Sequence, residues 1–241
     1  MIRKTVVAGV CGLMLALPAA ASASVQPVGA PGNWRLTFDD EFSGTALNQT
    51  NWPALDYKPI INNVTPSPRN VTVSGGNAIL TLSSSRSGAA LDSDPATQGW
   101  GSGSGFDLPV GGFAEARIYF PGSGRTIYNW PAWWSSGPNW PAAGEEDIAE
   151  GLGTLTTNYH SPSGAHNFGT VPGTWSNAFH VYGLYRGAGY CQIFYDGKLV
   201  KQYSTDDNGQ PQSLIINVGS GNTTRYGAAS QVKVDYVRAW R

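Results

Sequence analysis

Apolar and polar residues alternate with a period of two through most of this chain, and that alternation limits the folds open to it. It runs through residues 78–83, 112–120, 180–185 and 231–240. Because successive side chains of a β-strand point to opposite faces, each run predicts a strand with one buried face. The pair Asp196-Gly197 between two such runs predicts a two-residue hairpin. With 31 glycines and 16 prolines to break it into short pieces, the chain is expected to be an all-β, antiparallel two-sheet β-sandwich.

Residues 1–23 have the layout of a secretory signal peptide. Two basic residues precede an apolar run from Thr5 to about Leu17, and Ala21-Ser22-Ala23 offers a cleavage site of small residues. A membrane anchor is the alternative, but the apolar run is short and polar sequence follows it directly. We expect a secreted, extracellular protein with a flexible leader at 24–33 and one domain at 34–241.

Charge and cysteine content exclude several classes of function. The formal net charge is −1, and removing the two basic residues of the signal peptide makes it −3, which argues against nucleic acid or an anionic membrane as partner. Cys191 then remains without a disulfide partner, and a buried strand position is favoured for it over a reactive one. The three histidines are scattered without zinc-site spacing. We expect a monomer.

Three acids follow the spacing E-x-D-x-x-E: Glu145, Asp147 and Glu150. Hydrolysis of a glycosidic bond with retention needs two carboxyls about 5–5.5 Å apart. Five positions separate the two glutamates, so a regular strand would place them on opposite faces. One inserted residue, a β-bulge, restores a common face. The spacing therefore predicts a bulged strand on the floor of a cleft, although a short acidic run taken alone is more often a solvated turn.

Four tryptophans precede the acids closely: Trp130, Trp133, Trp134 and Trp140. Flat apolar rings suit stacking on sugar rings, and core packing is the alternative because tryptophan is highly buried on average. The alternation of Trp130, Ala132 and Trp134 suggests that some of them line the core. Trp130 and Trp140 each precede a proline, so we expect them at strand ends as the exposed pair.

The segment from Trp130 to Glu150 resembles the pattern of glycoside hydrolase family 16, W-P-A-x-W followed by W-P-x-x-G-E-[aliphatic]-D-x-x-E. The resemblance covers nearly the whole chain after residue 33. Its other parts are residues 34–44, 113–121, 179–182, 196–197 and 234–238. Two residues between Asp147 and Glu150 give the bulged form, which in the family is associated with laminarinases, galactanases and agarases rather than lichenases or xyloglucan enzymes.

The resemblance implies a concanavalin-like jelly roll with a concave substrate cleft, and a retaining endo-glycosidase acting on a β-linked polysaccharide. Laminarin-type β-1,3-glucan is the favoured substrate. Glu145 is implied as the nucleophile and Glu150 as the acid and base. Asp147 would hydrogen-bond the nucleophile and keep the two pKa values apart. No cofactor is required for this chemistry.

Further residues are assigned less directly. Trp130, Trp134 and Trp140 are predicted to bind substrate, and His160 matches a family histidine near the leaving group, with a hydrogen-bonded core histidine as the alternative. Family members often carry calcium on the convex side. Asp235 occupies the matching position in the last predicted strand, with backbone oxygens expected near Glu41 and Gly76. One carboxylate is a thin ligand set for a cation that takes about six to eight oxygens, and an ordinary surface aspartate is the alternative.

Glu146 departs from the pattern, because the family has an aliphatic residue there, pointing into the core behind the cleft. A buried carboxyl must find a partner or become protonated. We expect either a partner such as an arginine or a wetter core. A shifted register with Glu146 as nucleophile would lose the E-x-D alternation.

Two other functions remain as alternatives. One is an enzyme for another backbone, such as β-1,3-galactan or mixed-linkage β-glucan, because loops around a cleft decide specificity. The other is a non-catalytic carbohydrate-binding protein on the same fold. Lectin-like relatives typically lack one catalytic glutamate, and both glutamates are present here.

Overall fold

The computed structural model describes residues 25–53, 61–94 and 105–241. These residues form 18 strands, joined by turns and by two short 3₁₀ segments at Pro68–Asn70 and Gly227–Ser230. The strands are β1 (Leu36–Asp40), β2 (Thr65–Pro66), β3 (Val71–Ser74), β4 (Asn77–Thr81), β5 (Ser87–Asp92), β6 (Asp107–Leu108), β7 (Phe113–Tyr119), β8 (Gly122–Ser123), β9 (Thr126–Ile127), β10 (Trp130–Ser136), β11 (Glu145–Gly151), β12 (Leu155–Ser161), β13 (Gly164–Thr170), β14 (Phe179–Gly187), β15 (Tyr190–Tyr195), β16 (Lys198–Ser204), β17 (Gln212–Gly219) and β18 (Gln231–Trp240).

Two eight-stranded sheets face each other. In one, called the cleft sheet, the strand order is β13-β12-β11-β10-β17-β5-β2, with β6 paired to β17. In the other, the back sheet, it is β16-β15-β14-β7-β18-β4-β3, with β1 paired to β18. Neighbouring strands are antiparallel except β2 and β5. The two-sheet sandwich predicted from the alternation is confirmed, and β11 lies near the middle of its sheet.

One large apolar core fills the space between the sheets. Every second residue of the central strands faces it, as in the Ala114, Ala116 and Ile118 series of β7. The four runs that predicted strands correspond to β4, β7, β14 and β18, and the predicted hairpin joins β15 to β16. Cys191 is buried in β15 as expected. In the described part of the chain we find no α-helix, and hence none long and apolar enough to cross a membrane.

The expected leader makes contacts that a loose segment would lack. Val28 N–H donates to Glu115 Oε2 at 2.8 Å, and the Trp240 indole donates to the Val25 carbonyl, also at 2.8 Å. Trp34 then packs over Phe113. Residues 25–33 therefore lie against the back sheet. There they pack near the aromatic rings at the ends of β7 and β18. The predicted signal peptide, 1–23, lies outside the described residues.

Candidate active site

The acid-bearing strand, β11, contains the bulge that the spacing predicts. Against β12, Asp147 pairs with Asn158 and Glu150 with Thr156. The chain advances three residues on β11 but two on β12, so β11 has one extra residue here. Against β10 the same extra residue falls between Asp147 and Ala149. The bulge places all three acids on one face, because residues opposite each other in antiparallel strands share a face. Glu145 is half-buried, while Asp147 and Glu150 are buried.

His160 joins the acids from the next strand. It lies opposite Glu145 on β12, with its Nε2 atom 3.7 Å from Glu145 Oε1 and 3.4 Å from Asp147 Oδ2. The alternative of a core histidine is therefore not what the structure shows, because His160 faces the acids and is partly exposed. Ligand atoms of these three residues lie within 4.8 Å of one another. We interpret the group as a cluster of titratable side chains that interact through their charges, at ion-pair distances of 3.4 and 3.7 Å.

Burial and mutual repulsion raise the pKa of two of the acids. The pKa of Glu145 is raised to about 8, first by burial and then by the charge of Asp147, with His160 opposing. Burial also raises the pKa of Asp147 well above its usual range, and the charges of Glu150 and Glu146 add to the effect. Three carboxyls this close cannot all ionise easily at neutral pH. The cluster therefore retains at least one proton there.

Glu150 has a different environment. The Trp130 indole donates to its Oε1 atom at 2.6 Å, and the Asn158 amide donates to Oε2 at 2.5 Å. Both oxygens are thus fixed in position. Asn158 was not predicted from the sequence, although it stands two residues before His160 and so had to share its face.

The tryptophans divide between the two faces of β10. Trp130 and Trp134 are half-buried on the face of the acids, since Ala132 and Trp134 pair with Glu150 and Asp147. Trp133 points the other way, is fully buried, and donates to the Tyr182 carbonyl across the core. The expectation that some of the tryptophans line the core holds for Trp133, whereas the Trp130–Ala132–Trp134 alternation lies on the face of the acids. The bulge in the neighbouring strand brings Glu150 to that face, opposite Ala132.

Trp140 lies at the rim of this face. It is 59% exposed, its ring lies 6.4 Å from that of His160, and its polar contact with Glu145 lowers the pKa of that acid slightly against the larger raising effects. The sequence predicts Trp130 and Trp140 as the exposed pair. Trp140 is exposed, whereas Trp130 is half-buried and hydrogen-bonded to Glu150. Trp134 donates instead to Asn217 Oδ1 at 2.8 Å, a further cleft-face residue that the sequence reasoning missed.

The residues expected at a calcium site have other partners. Asp235 forms an ion pair with Arg117 at 2.5 Å, and Glu41 with Arg238 at 2.5 Å. Gly76 lies in the tight turn between β3 and β4 with positive φ. A guanidinium thus lies beside each of these two carboxylates. The calcium site, which is expected to use the Asp235 side chain with backbone oxygens near Glu41 and Gly76, stays a prediction.

Comparison with known proteins adds to this geometry. Residues 122–170 match the sequence model described as XgeA-like, catalytic GH16 domain. This segment contains the three acids, all four clustered tryptophans and His160. No curated protein matched the chain.

Several solved structures share the fold. SCLam, described as a non-specific endo-β-1,3(4)-glucanase from family GH16, is 24% identical with a TM-score of 0.70, over 90% of this chain and 94% of that one. The endo-β-1,3-glucanase from Pyrococcus furiosus is 21% identical with a TM-score of 0.63, over 86% and 94%. The laminarinase from Rhodothermus marinus is 24% identical with a TM-score of 0.69, over 87% and 98%. A SCLam variant holds 1,3-β-D-cellobiosyl-glucose at its active site. In the segment that bears its acids and in its overall fold, the chain resembles the laminarinases of glycoside hydrolase family 16.

Proposed function

We propose that this protein is a retaining glycoside hydrolase that cleaves a β-glucan. One observation carries the proposal: the bulge in β11 brings Glu145, Asp147 and Glu150 to one face, beside indole rings on β10. A retaining mechanism needs two neighbouring carboxyls, one as nucleophile and the other as acid and base. Glu145 and Glu150 supply that pair on one face of the bulged strand, with Asp147 between them.

Glu145 is the nucleophile. Its carboxylate attacks the anomeric carbon and forms an ester bond while the glycosidic C–O bond breaks, and Glu150 gives its proton to the leaving oxygen. Water then attacks the same carbon, Glu150 takes a proton from that water, and Glu145 is released. The N–H donors from Trp130 and Asn158 stabilise the ionised Glu150 that the second step requires.

Asp147 keeps a proton between the two glutamates. It is more deeply buried than Glu145 and feels the charges of Glu150 and Glu146, so we assign the retained proton of the cluster to it. A protonated Asp147 can donate a hydrogen bond to Glu145, and this stabilises the ionised nucleophile although burial raises its pKa.

The favoured substrate is a β-1,3-glucan of the laminarin type, cleaved internally. Support comes from the bulged motif and from the fold shared with laminarinases. The half-buried rings of Trp130 and Trp134 and the exposed ring of Trp140 offer apolar faces on which sugar rings can stack. His160 is positioned near the leaving group. We also propose that the protein is exported and loses residues 1–23.

The decisive experiment is reducing-sugar release from laminarin, mixed-linkage β-glucan, β-1,3-galactan and xyloglucan. We expect hydrolysis of laminarin to short oligosaccharides, first released as the β-anomer in proton NMR. Glu145→Gln, which keeps the shape of the side chain, is the inactive control. Release of the α-anomer would contradict retention. Binding to laminarin without any hydrolysis would favour the carbohydrate-binding alternative. Intact mass of the exported protein tests cleavage after Ala23.

A further inference from the structure

Glu146 lies between Glu145 and Asp147 on β11, but its side chain points to the opposite face, into the core. It is fully buried, at the position where the resemblance leads to an aliphatic residue. The proposed reaction steps give it no role. Since a buried carboxyl without partners is costly, its surroundings show what holds it there.

Tyr203 is the hydrogen-bonding partner of Glu146. Its hydroxyl donates to Glu146 Oε2 at 2.7 Å, and Tyr203 lies on β16, the edge strand of the back sheet. The bond therefore crosses the core and connects the acid-bearing strand to the opposite sheet. Among the described residues, Glu146 Oε1 accepts no hydrogen bond of normal geometry, although the Gln212 side chain lies near enough to oppose the rise in the pKa of Glu146. The bond from Tyr203 thus fixes the orientation of the carboxyl, and the arginine expected from the sequence is not its hydrogen-bond partner.

Charged groups around Glu146 act on it from a distance. Arg186 forms a buried ion pair with Asp207, and its attraction for Glu146 is offset by repulsion from Asp207. Burial is the largest effect and raises the pKa of Glu146 to about 7. The titratable groups that face it from the surrounding elements are Tyr159 of β12, Arg186 of β14, Cys191 of β15, Tyr203 of β16 and Asp207 of the β16–β17 loop.

The charge of Glu146 also affects the pKa of a residue on the other face of the sheet. Asp147 is its chain neighbour, and the Glu146 carboxylate is among the groups that raise the pKa of Asp147. A negative charge behind the strand favours a protonated Asp147. In the reaction proposed above, that proton stabilises the nucleophile Glu145.

We propose that Glu146 is a positioning residue: its hydrogen bond with Tyr203 ties the acid-bearing strand to the opposite sheet from behind, and its charge, when it is ionised, acts on the neighbouring Asp147. The inference rests on the proposed function of the three acids. An aliphatic side chain would fill the same space but would supply neither the bond nor the charge.

Glu146→Gln is the sharpest test, because glutamine keeps an acceptor for Tyr203 and removes the charge. We expect kcat at neutral pH to fall about tenfold with KM unchanged, since the loss is confined to the transition state. The alkaline limb of the kcat profile should move to lower pH, because Asp147 loses its proton more easily. Tyr203→Phe should also lower kcat, and the double variant should lose less than the two single losses combined.

Glu115→Gln is the matched control. Glu115 is also buried and accepts a tyrosine hydroxyl, from Tyr236 at 3.1 Å, but it lies on β7 of the back sheet. The Glu115→Gln substitution should leave kcat and the pH profile of kcat unchanged. A Glu146→Gln protein that melts like the wild type and keeps both the wild-type kcat and the wild-type profile would overturn the inference.

A second measurement does not depend on turnover. The ¹³C carboxyl resonance of Asp147 can be titrated in the wild type and, where it folds, in Glu146→Gln. We expect ionisation of Asp147 at higher pH in the wild type than in the variant. Ionisation of Asp147 in the ordinary range of an aspartic acid in the wild type, or at the same pH in both proteins, would overturn the inference. A wild type that titrates as expected but hydrolyses no polysaccharide would refute the proposed function instead.

Discussion

The two glutamates of the cleft differ because of a few side chains around them. Glu150 accepts hydrogen bonds from Trp130 and Asn158. Glu145 instead lies near Asp147, and burial with like charge raises its pKa to about 8. Two N–H donors fix the orientation of Glu150, whereas burial and like charge act on Glu145. Substitutions of these single neighbours can therefore test each assignment.

Azide distinguishes the roles of the two glutamates. Glu145→Ala should lose activity and regain it with azide, which replaces the nucleophile and gives the inverted glycosyl azide. Glu150→Ala should lose activity by about 10²–10⁴-fold, and azide should give the glycosyl azide of retained configuration, because Glu145 is still present. Product NMR separates the two. Identical azide products from both variants would contradict the assignment.

The indole N–H of Trp130 should hold Glu150 in position for proton transfer. Trp130→Phe keeps an aromatic ring but removes the donor, so Glu150 loses a charge-assisted hydrogen bond of about 1.5–3 kcal/mol. We expect kcat to fall about tenfold with KM little changed, because an acid that is less well oriented transfers its proton less efficiently. Trp134→Phe is the control, since its N–H donates to Asn217. An equal loss of kcat in both variants would show that the ring, and not its N–H group, accounts for the effect.

Strand β10 has one face in the core and the other in the cleft. Trp133 is fully buried between the sheets. Trp134, the next residue, is only partly buried and packs on Ile61, Ala90 and Ile215. Adjacent residues of the same type therefore have different tasks. The period of two in β10 sets this division, and the bulge in β11 then brings Glu150 to the same face as Trp134.

Alanine variants of these neighbours should separate stability from substrate binding. Trp133→Ala removes a core ring and should lower the free energy of unfolding by about 3–5 kcal/mol. Trp134→Ala and Trp140→Ala should weaken substrate binding, seen as a higher KM, with a smaller loss of stability. Denaturant unfolding and kinetics on the same samples check this. A sharp loss of stability in Trp140→Ala with unchanged KM would place that ring in the core.

Local sequence predicts the strands and the bulge, but it does not predict the contacts between residues that are far apart in the chain. The period of two located β4, β7 and β18, and the odd spacing of the glutamates indicated the inserted residue. The bond from Tyr203 to Glu146 joins residues 57 positions apart, and no local pattern encodes such a contact. The same holds for Val28, whose partner Glu115 is 87 positions away. Residues 25–33 contain little periodicity, so their docking on the back sheet could not be predicted.

At the scale of the whole molecule, the sandwich encloses carboxyls that no cation neutralises fully. Burial raises the pKa of Asp92 to about 8 and that of Asp107 to about 6, with repulsion from neighbouring aspartates adding to it. Glu146 and Glu145 are shifted in the same direction, to about 7 and about 8. Ion pairs elsewhere, such as Arg117 with Asp235, are partly exposed and contribute little. The buried acids therefore dominate the pH dependence of folding.

These shifts predict a domain that is more stable in mild acid than in mild alkali. An acid with a folded-state pKa above its unfolded value contributes full stability below the unfolded value and loses it as pH rises through the folded one. For Asp92 that window runs from its ordinary value of 3.8 to about 8. The melting temperature should thus fall steadily from pH about 5 to pH about 8, and scanning calorimetry in buffers of equal ionic strength can follow it. Asp92→Asn should flatten the decline, because asparagine can still accept the bond from the Asp94 N–H but has no proton to lose. A melting temperature that rises over this interval, or an Asp92→Asn profile parallel to the wild type, would show that Asp92 is not held protonated in the folded domain.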